Sequence, residues 1–224
     1  MEKFSENPLK NRKLPALTVM VGLLITCYLT ANVMAVKLIN VAGITIFDAG
    51  TIIFPIAYML GDVLTEIWGY KTAKRVIWLT FFCEIFFTFF AWLAICLPYP
   101  AETLANAEAY RQVFSFVPRV TAASLLAFLC GELVNAWSME KIKIRTSGRH
   151  LWLRAIGSSF LGYIVDTTIF VAVAFVGVVP LSSIVSMILI QVAVKLLLEA
   201  CAATPLLYVV VNKLKKQTSE DEEC

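Results

Sequence analysis

The sequence predicts an all-α membrane protein, a bundle of six transmembrane helices with both termini in the cytoplasm. Three observations predict it. First, 59% of the 224 residues are apolar and only 16% are charged, whereas soluble domains run near 45–50% and about 25%. Second, there are six apolar stretches, at roughly residues 14–37, 47–68, 75–97, 119–139, 154–178 and 181–212. Each supplies the ~20 residues needed to cross a hydrocarbon core about 30 Å thick. Third, basic residues crowd onto alternate connections, as the positive-inside rule demands of a polytopic chain. With a mean hydropathy of +0.79, this composition excludes a soluble globular domain, a disordered chain and a disulfide-rich module. Alternating barrel strands are absent, so helices must satisfy the backbone within each span. The net charge of +3 offers no patch for nucleic acid. One His and six scattered Cys show no metal-ligand spacing. No cofactor motif is present: P-loop, zinc signature and nucleophile elbow are all missing.

The elements follow in order. Residues 1–13 form an N-terminal segment carrying Lys3, Lys10, Arg12 and Lys13. The apolar run behind them exceeds the roughly 7–15 residues of a signal-peptide core, so it reads as an uncleaved first span. The membrane domain covers 14–212, and 213–224 is a charged tail ending in acidic residues. Asp48 is placed to cap span two, and Pro55 and Pro205 are expected to interrupt spans two and six. The connection after span two holds Lys71, Lys74 and Arg75. That after span four holds Lys141, Lys143, Arg145, Arg149 and Arg154, and the tail holds Lys213, Lys215 and Lys216. Only Lys37, Arg111 and Arg119 fall on the opposite side. The crowded side is therefore cytoplasmic, with Trp68, Trp78, Trp137 and Trp152 as its interfacial belt. The longest loop, about residues 98–118, lies outside. Gly61-Asp62-Val63-Leu64 and Gly131-Glu132-Leu133-Val134 form a weak internal echo at similar depths of spans two and four.

Function is written in the polar residues at bilayer depth, where each charge costs at least ~2.5–3.5 kcal/mol. Asp62, Glu84, Glu132, Asp166, Glu199 and Lys195 occupy one slab of the membrane, drawn from five spans. Asn32 adds an amide in span one. Five acids around one cation must carry protons, face water, or bind a cationic or donor-rich ligand. A carboxylate accepts two parallel hydrogen bonds. It therefore suits a planar edge with adjacent N–H donors, such as guanine or an amidine, or a proton carrier. Phe54 and Tyr58 stand one turn apart above Asp62 and can stack on a flat ring. Ser159 and Gly162 share a face with Asp166. The blander readings are local. Lys195 and Glu199 can pair at i and i+4, Glu66 can pair with a basic residue at the interface, and the glycines can serve packing alone. The cysteines within spans read as small hydrophobes.

Five blocks occur in order over residues 28–212. They are Ala31-Asn32-Val33 with Lys37; Phe54-Pro55, Tyr58, Asp62, Glu66, Gly69 and Lys74-Arg75; and Gly131-Glu132-Leu133-Val134-Asn135 running into Thr146-Ser147-Gly148-Arg149-His150-Leu151-Trp152-Leu153-Arg154. Ser158-Ser159 with Asp166-Thr167, and Lys195 with Glu199 and Thr204-Pro205, complete the set. In this pattern the chain resembles the queuosine-precursor transporters, a vitamin-uptake family. The resemblance implies import of 7-cyano-7-deazaguanine, 7-aminomethyl-7-deazaguanine or queuine across the bacterial inner membrane, for tRNA queuosine modification. One departure stands out: the third block usually carries Gln then Asp, where this chain has Glu132 then Asn135. The swap keeps one carboxylate and one amide on the same helix face while moving the charge one turn.

The expected substrate contacts are Asn32, Phe54, Tyr58, Asp62, Glu132, Asn135, Ser159 and Asp166. Glu84, Lys195 and Glu199 are expected to balance charge or carry coupling. The acid excess suits proton coupling, and a second copy of the chain is a candidate partner. Two other readings remain open: a substrate-binding membrane component that needs a separate energising partner, and an intramembrane enzyme.

Overall fold

The computed structural model describes residues 8–35, 37–41, 44–115, 118–177 and 180–220. It is a helical bundle in which α1 (Pro8–Met34), α2 (Phe54–Trp68), α3 (Tyr70–Cys96), α5 (Pro118–Arg145) and α6 (Leu151–Phe175) each contribute one long apolar span. The sixth span is composite: α7 (Leu181–Leu198), a π-helical turn (Glu199–Ala203) and α8 (Thr204–Glu220) run on as one apolar stretch from Ile184 to Lys216. A short amphipathic helix, α4 (Leu104–Phe114), lies between α3 and α5.

The six-span, all-α expectation stands, with four adjustments. An antiparallel hairpin, β1 (Leu38–Val41) against β2 (Ile44–Asp48), joins α1 to a 3-10 turn at Ala49–Ile52. The second helix therefore starts at Phe54 rather than near residue 47. Pro55 does not interrupt it. It occupies the first turn, where the missing N–H has no partner to lose and the fixed φ favours the helix. Pro205 does follow a break, the π turn, as expected of span six. The connection of about residues 98–118, the longest loop in the sequence reading, contains α4, held to α3 by Phe87 against Phe114 with ring centroids 6.2 Å apart. The side chain of Asp48 and residues 1–7 and 221–224 lie outside the described residues.

Helix α2 occupies the middle. Eleven of its 15 residues are buried, and it packs against α1, α3, α5 and α8. Its Leu60, Val63 and Leu64 join Leu24, Ile77, Met139 and Leu207 in the main apolar cluster. It ends at Gly69, whose φ of +79° is open to glycine without a Cβ penalty, so α3 begins at the very next residue. Phe82, Phe86, Phe89, Phe90 and Trp92 face outward from α3, the arrangement expected of a lipid-facing surface.

The tightest helix crossing is α5 on α6. A Cβ added to Gly131 would sit 2.6 Å from Cβ of Asp166 and 3.2 Å from the Gly162 carbonyl oxygen. One added to Gly162 would sit 2.7 Å from the Tyr58 ring and 3.1 Å from the Gly131 carbonyl oxygen. Small residues here let two backbones approach and bring Asp166 beside Tyr58. At Gly61 the nearest obstacle is only the end of the Glu132 side chain, at 2.9 Å. Gly162→Ala is accordingly expected to destabilise the bundle by about 1–3 kcal/mol and Gly61→Ala by less. Thermal unfolding in detergent checks the order, and equal effects would mean the crossing can give.

Candidate functional site

A cavity opens among α1, α2, α3, α5, α6 and α7. Tyr28, Asn32, Phe54, Glu84, Asp166 and Lys195 supply its chemistry, and Thr51, Ser124, Phe128, Phe170 and Gln191 are among the other wall residues. Its volume is about 50 Å³, room for a few waters but not for a bicyclic base, so a ligand of that size enters only if the walls part.

Three arrangements set its polarity. The Asn32 amide donates to Glu84 Oε1 at 2.9 Å and accepts from the Ser124 hydroxyl at 3.4 Å. Asn32 is thereby fixed as an orienter of Glu84. Lys195 of α7 donates to the Asp166 carboxylate of α6 and to Thr167 Oγ1 at 3.2 Å. Its ammonium also lies 4.6 Å from the Phe54 ring centroid, a favourable face-on cation position. The i and i+4 pairing of Lys195 with Glu199 is thus not what the structure shows. The two long side chains go to other partners because α6 packs along α7 and brings Asp166 within reach of the ammonium. Aromatic walls come from Phe54, Phe128 and Tyr28, with the Tyr28 and Phe128 rings 4.2 Å apart and tilted by 58°.

A second polar layer lies beyond the cavity. Tyr28 spans the two, because its hydroxyl donates to Glu132 while its ring lines the cavity. Asn135 donates to Asp62 Oδ1 at 3.1 Å. Tyr163 donates to Glu199 Oε2 at 2.9 Å, and its ring stacks at 4.4 Å on Tyr58. Ser159 stands beside Glu199 and Ser158 beside Asp62. Asp62, Glu132, Asn135, Ser159 and Glu199 are fully buried. Tyr58 Oη, Glu132 Oε2 and Asn135 Oδ1 are buried without a hydrogen bond, an uncommon outlay for a purely structural core.

The expected contacts therefore divide. Asn32, Phe54 and Asp166 line the cavity, joined by Glu84 and Lys195, which the sequence placed in charge balance. Tyr58, Asp62, Glu132, Asn135, Ser159 and Glu199 form the inner layer and do not line it. Sequence reasoning missed Tyr28, Ser124, Tyr163 and Gln191. Spacing held a signal for two of them: Tyr28 precedes Asn32 by one turn and Gln191 precedes Lys195 by one turn, so each pair shares a face. Glu66 pairs as expected, with Lys143, Arg154 and Lys215.

The sequence profile of the family described as "Putative vitamin uptake transporter" matches residues 48–210. This chain belongs to that vitamin uptake transporter family. A Bacillus subtilis protein named "Probable queuosine precursor transporter" is 34% identical over 186 residues, 81% of this chain and 79% of its own length. A Haemophilus influenzae protein of the same name is 23% identical over 127 residues, 56% of this chain and 51% of its own length. No solved structure matches. The segment shared with the vitamin uptake transporter family includes every residue named above in the cavity and the inner layer except Tyr28 and Asn32. For a member of such a family, a polar cavity enclosed by apolar, lipid-facing helices is the feature that a solute could use. Among the described residues no group of three or more His, Cys, Asp or Glu is arranged to hold a metal ion.

Proposed function

We propose that this chain imports 7-deazaguanine precursors of queuosine across a bacterial inner membrane, with its basic end and both termini in the cytoplasm. The observation that carries the proposal is the cavity itself: one carboxylate, Glu84, oriented by Asn32, opposite the Lys195–Asp166 pair and between aromatic rings. A 7-deazaguanine presents adjacent N–H donors on its pairing edge, which suit Glu84. It also presents a carbonyl oxygen, which suits a donor such as Lys195, and a flat ring, which suits Phe54 and Tyr28. The names borne by the relatives support the same class of cargo. The positive-inside pattern supports the orientation, since Lys143, Arg154 and Lys215 gather at one end of the bundle around Glu66.

Proton coupling belongs to this reading. No cation contacts Asp62, Glu132 or Glu199 among the described residues, and a proton is the smallest counter-charge that could serve them. Uptake by cells is expected to fall at least about tenfold when a protonophore collapses the proton gradient. Uptake indifferent to both protonophore and external pH would remove coupling from the proposal.

The decisive test is restoration of tRNA queuosine. The host is a bacterium that cannot make the deazaguanine and lacks its own importer, fed nanomolar precursor. The intact chain is expected to restore the modified nucleoside, and Asp166→Asn to lose it at matched membrane levels. No restoration with any of the three precursors, despite membrane insertion, would overturn the substrate class. Purified chain in proteoliposomes distinguishes the other readings. A substrate-binding component that depends on an energising partner would bind and not transport. An intramembrane enzyme would return a chemically altered compound.

A further inference from the structure

One carboxylate ties together the basic end of the bundle. Glu66, in the last turn of α2, receives Lys143 of α5 at 3.1 Å, Arg154 of α6 at 2.9 Å and Lys215 of α8 at 3.0 Å. Lys143 also donates to the Glu66 carbonyl oxygen at 2.8 Å. The knot has a dry centre and a wet rim: the Glu66 and Arg154 side chains are 3% and 1% exposed, those of Lys143 and Lys215 31% and 55%. Three cations on one acid exceed what neutralising Glu66 requires, and burying a guanidinium carries a large desolvation cost. A well-packed apolar contact would hold four helix ends together more cheaply.

Its position suggests what the extra charge is for. Tyr58, Asp62 and Glu66 recur every four residues on α2, so they share one face at steps of ~6 Å. Tyr58 and Asp62 belong to the inner polar layer, and Glu66 is the next step toward the basic end. A polar column thus runs from the cavity through the inner layer to the Glu66 knot. The helices it joins also differ in freedom. α5 and α6 are locked by the Gly131–Gly162 crossing, whereas α8 follows the π turn at Glu199–Ala203 and carries Pro205 in its first turn, a break in the hydrogen-bond ladder of the kind that lets a helix bend.

We propose that Glu66, Lys143, Arg154 and Lys215 form the gate on the basic side of this transporter, closed in the present structure. The inference rests on the transport reading. In it, the exposed Lys215 and then the half-buried Lys143 exchange Glu66 for water, because ion pairs that reach solvent are weak, and α8 swings away from α2. The buried Glu66–Arg154 contact then separates last and opens the inner layer to the cytoplasm.

Thiol accessibility tests the gate without any cargo. The full chain, with its native cysteines replaced, carries Ser159→Cys as a reporter in the inner layer, between Asp166 and Arg154 on α6. A charged, membrane-impermeant methanethiosulfonate is applied to inside-out and to right-side-out vesicles. With the knot intact, labelling from the basic side is expected to be slow. Glu66→Gln should accelerate it about tenfold or more, and Lys143→Gln with Lys215→Gln by a smaller factor, with no change from the opposite face. If Glu66→Gln alone does not accumulate, Glu66→Gln with Arg154→Gln removes both buried charges and carries the same expectation. An unchanged rate from the basic side, or an equal rise from both faces, would overturn the gate. A chain that shows gated labelling yet imports no deazaguanine would overturn the cargo and leave the gate standing.

Discussion

Lys195→Met is expected to abolish uptake and to lower the thermal stability of the detergent-purified chain by about 3–5 kcal/mol, the usual cost of stranding one member of a buried ion pair. Lys195 and Asp166 are both nearly buried, at 5% and 7% side-chain exposure, and the ammonium also serves Thr167 and the Phe54 ring. Truncating Lys195 leaves the buried Asp166 carboxylate without its counter-charge. The double variant Asp166→Asn with Lys195→Met removes both charges together, so it is expected to recover most of the lost stability. It should not recover uptake, because the cavity then has no fixed charge opposite Glu84. Paired melting curves and uptake rates for the three variants separate a structural pair from a functional one. Uptake restored by the double variant would make the pair structural only.

Glu84→Gln carries the second large expectation. The amide preserves shape, and its carbonyl oxygen can still accept from Asn32 as Glu84 Oε1 does at 2.9 Å. Stability should therefore change little. What is lost is the second acceptor oxygen and the negative charge that two ligand N–H groups would share. Hydrogen bonds to a charged group contribute about 1.5–3 kcal/mol, so the half-saturating precursor concentration is expected to rise about 10- to 100-fold. Asp62→Asn is the matched control, since Asp62 lies in the inner layer and does not line the cavity. It should alter the maximal rate more than half-saturation. If Asp62→Asn gave the larger shift in half-saturation, the ligand would sit one layer deeper than the cavity observed here.

The comparison of these two acids shows how far a sequence can be read. Both are conspicuous at the sequence level for one reason: a carboxylate at bilayer depth is expensive wherever it points. Depth follows from a rise of 1.5 Å per residue, and which residues share a face follows from the helical period. The number of spans, the basic asymmetry and the family blocks are likewise local properties, and all were legible. Glu66 was also readable, because an acid at the interface among many bases will find one. The hairpin at Leu38–Asp48 and the helix α4 between α3 and α5 were not legible in detail, since short polar-flanked segments carry little periodic signal.

What the sequence determined by itself is therefore a six-span helical bundle of a vitamin uptake family, with a set of intramembrane acids that must be accounted for. What only the tertiary structure decided is how those acids are distributed: Glu84 and Asp166 on the cavity, Asp62, Glu132 and Glu199 in the layer beneath, and Glu66 in a knot of three cations. Lys195 illustrates the physical reason. Its own helix places Glu199 one turn away, but the close crossing of α5 on α6 and the packing of α6 along α7 put Asp166 within direct reach. A helical period specifies which side chains share a face, and the partner meeting that face is chosen by how closely the neighbouring backbones can approach.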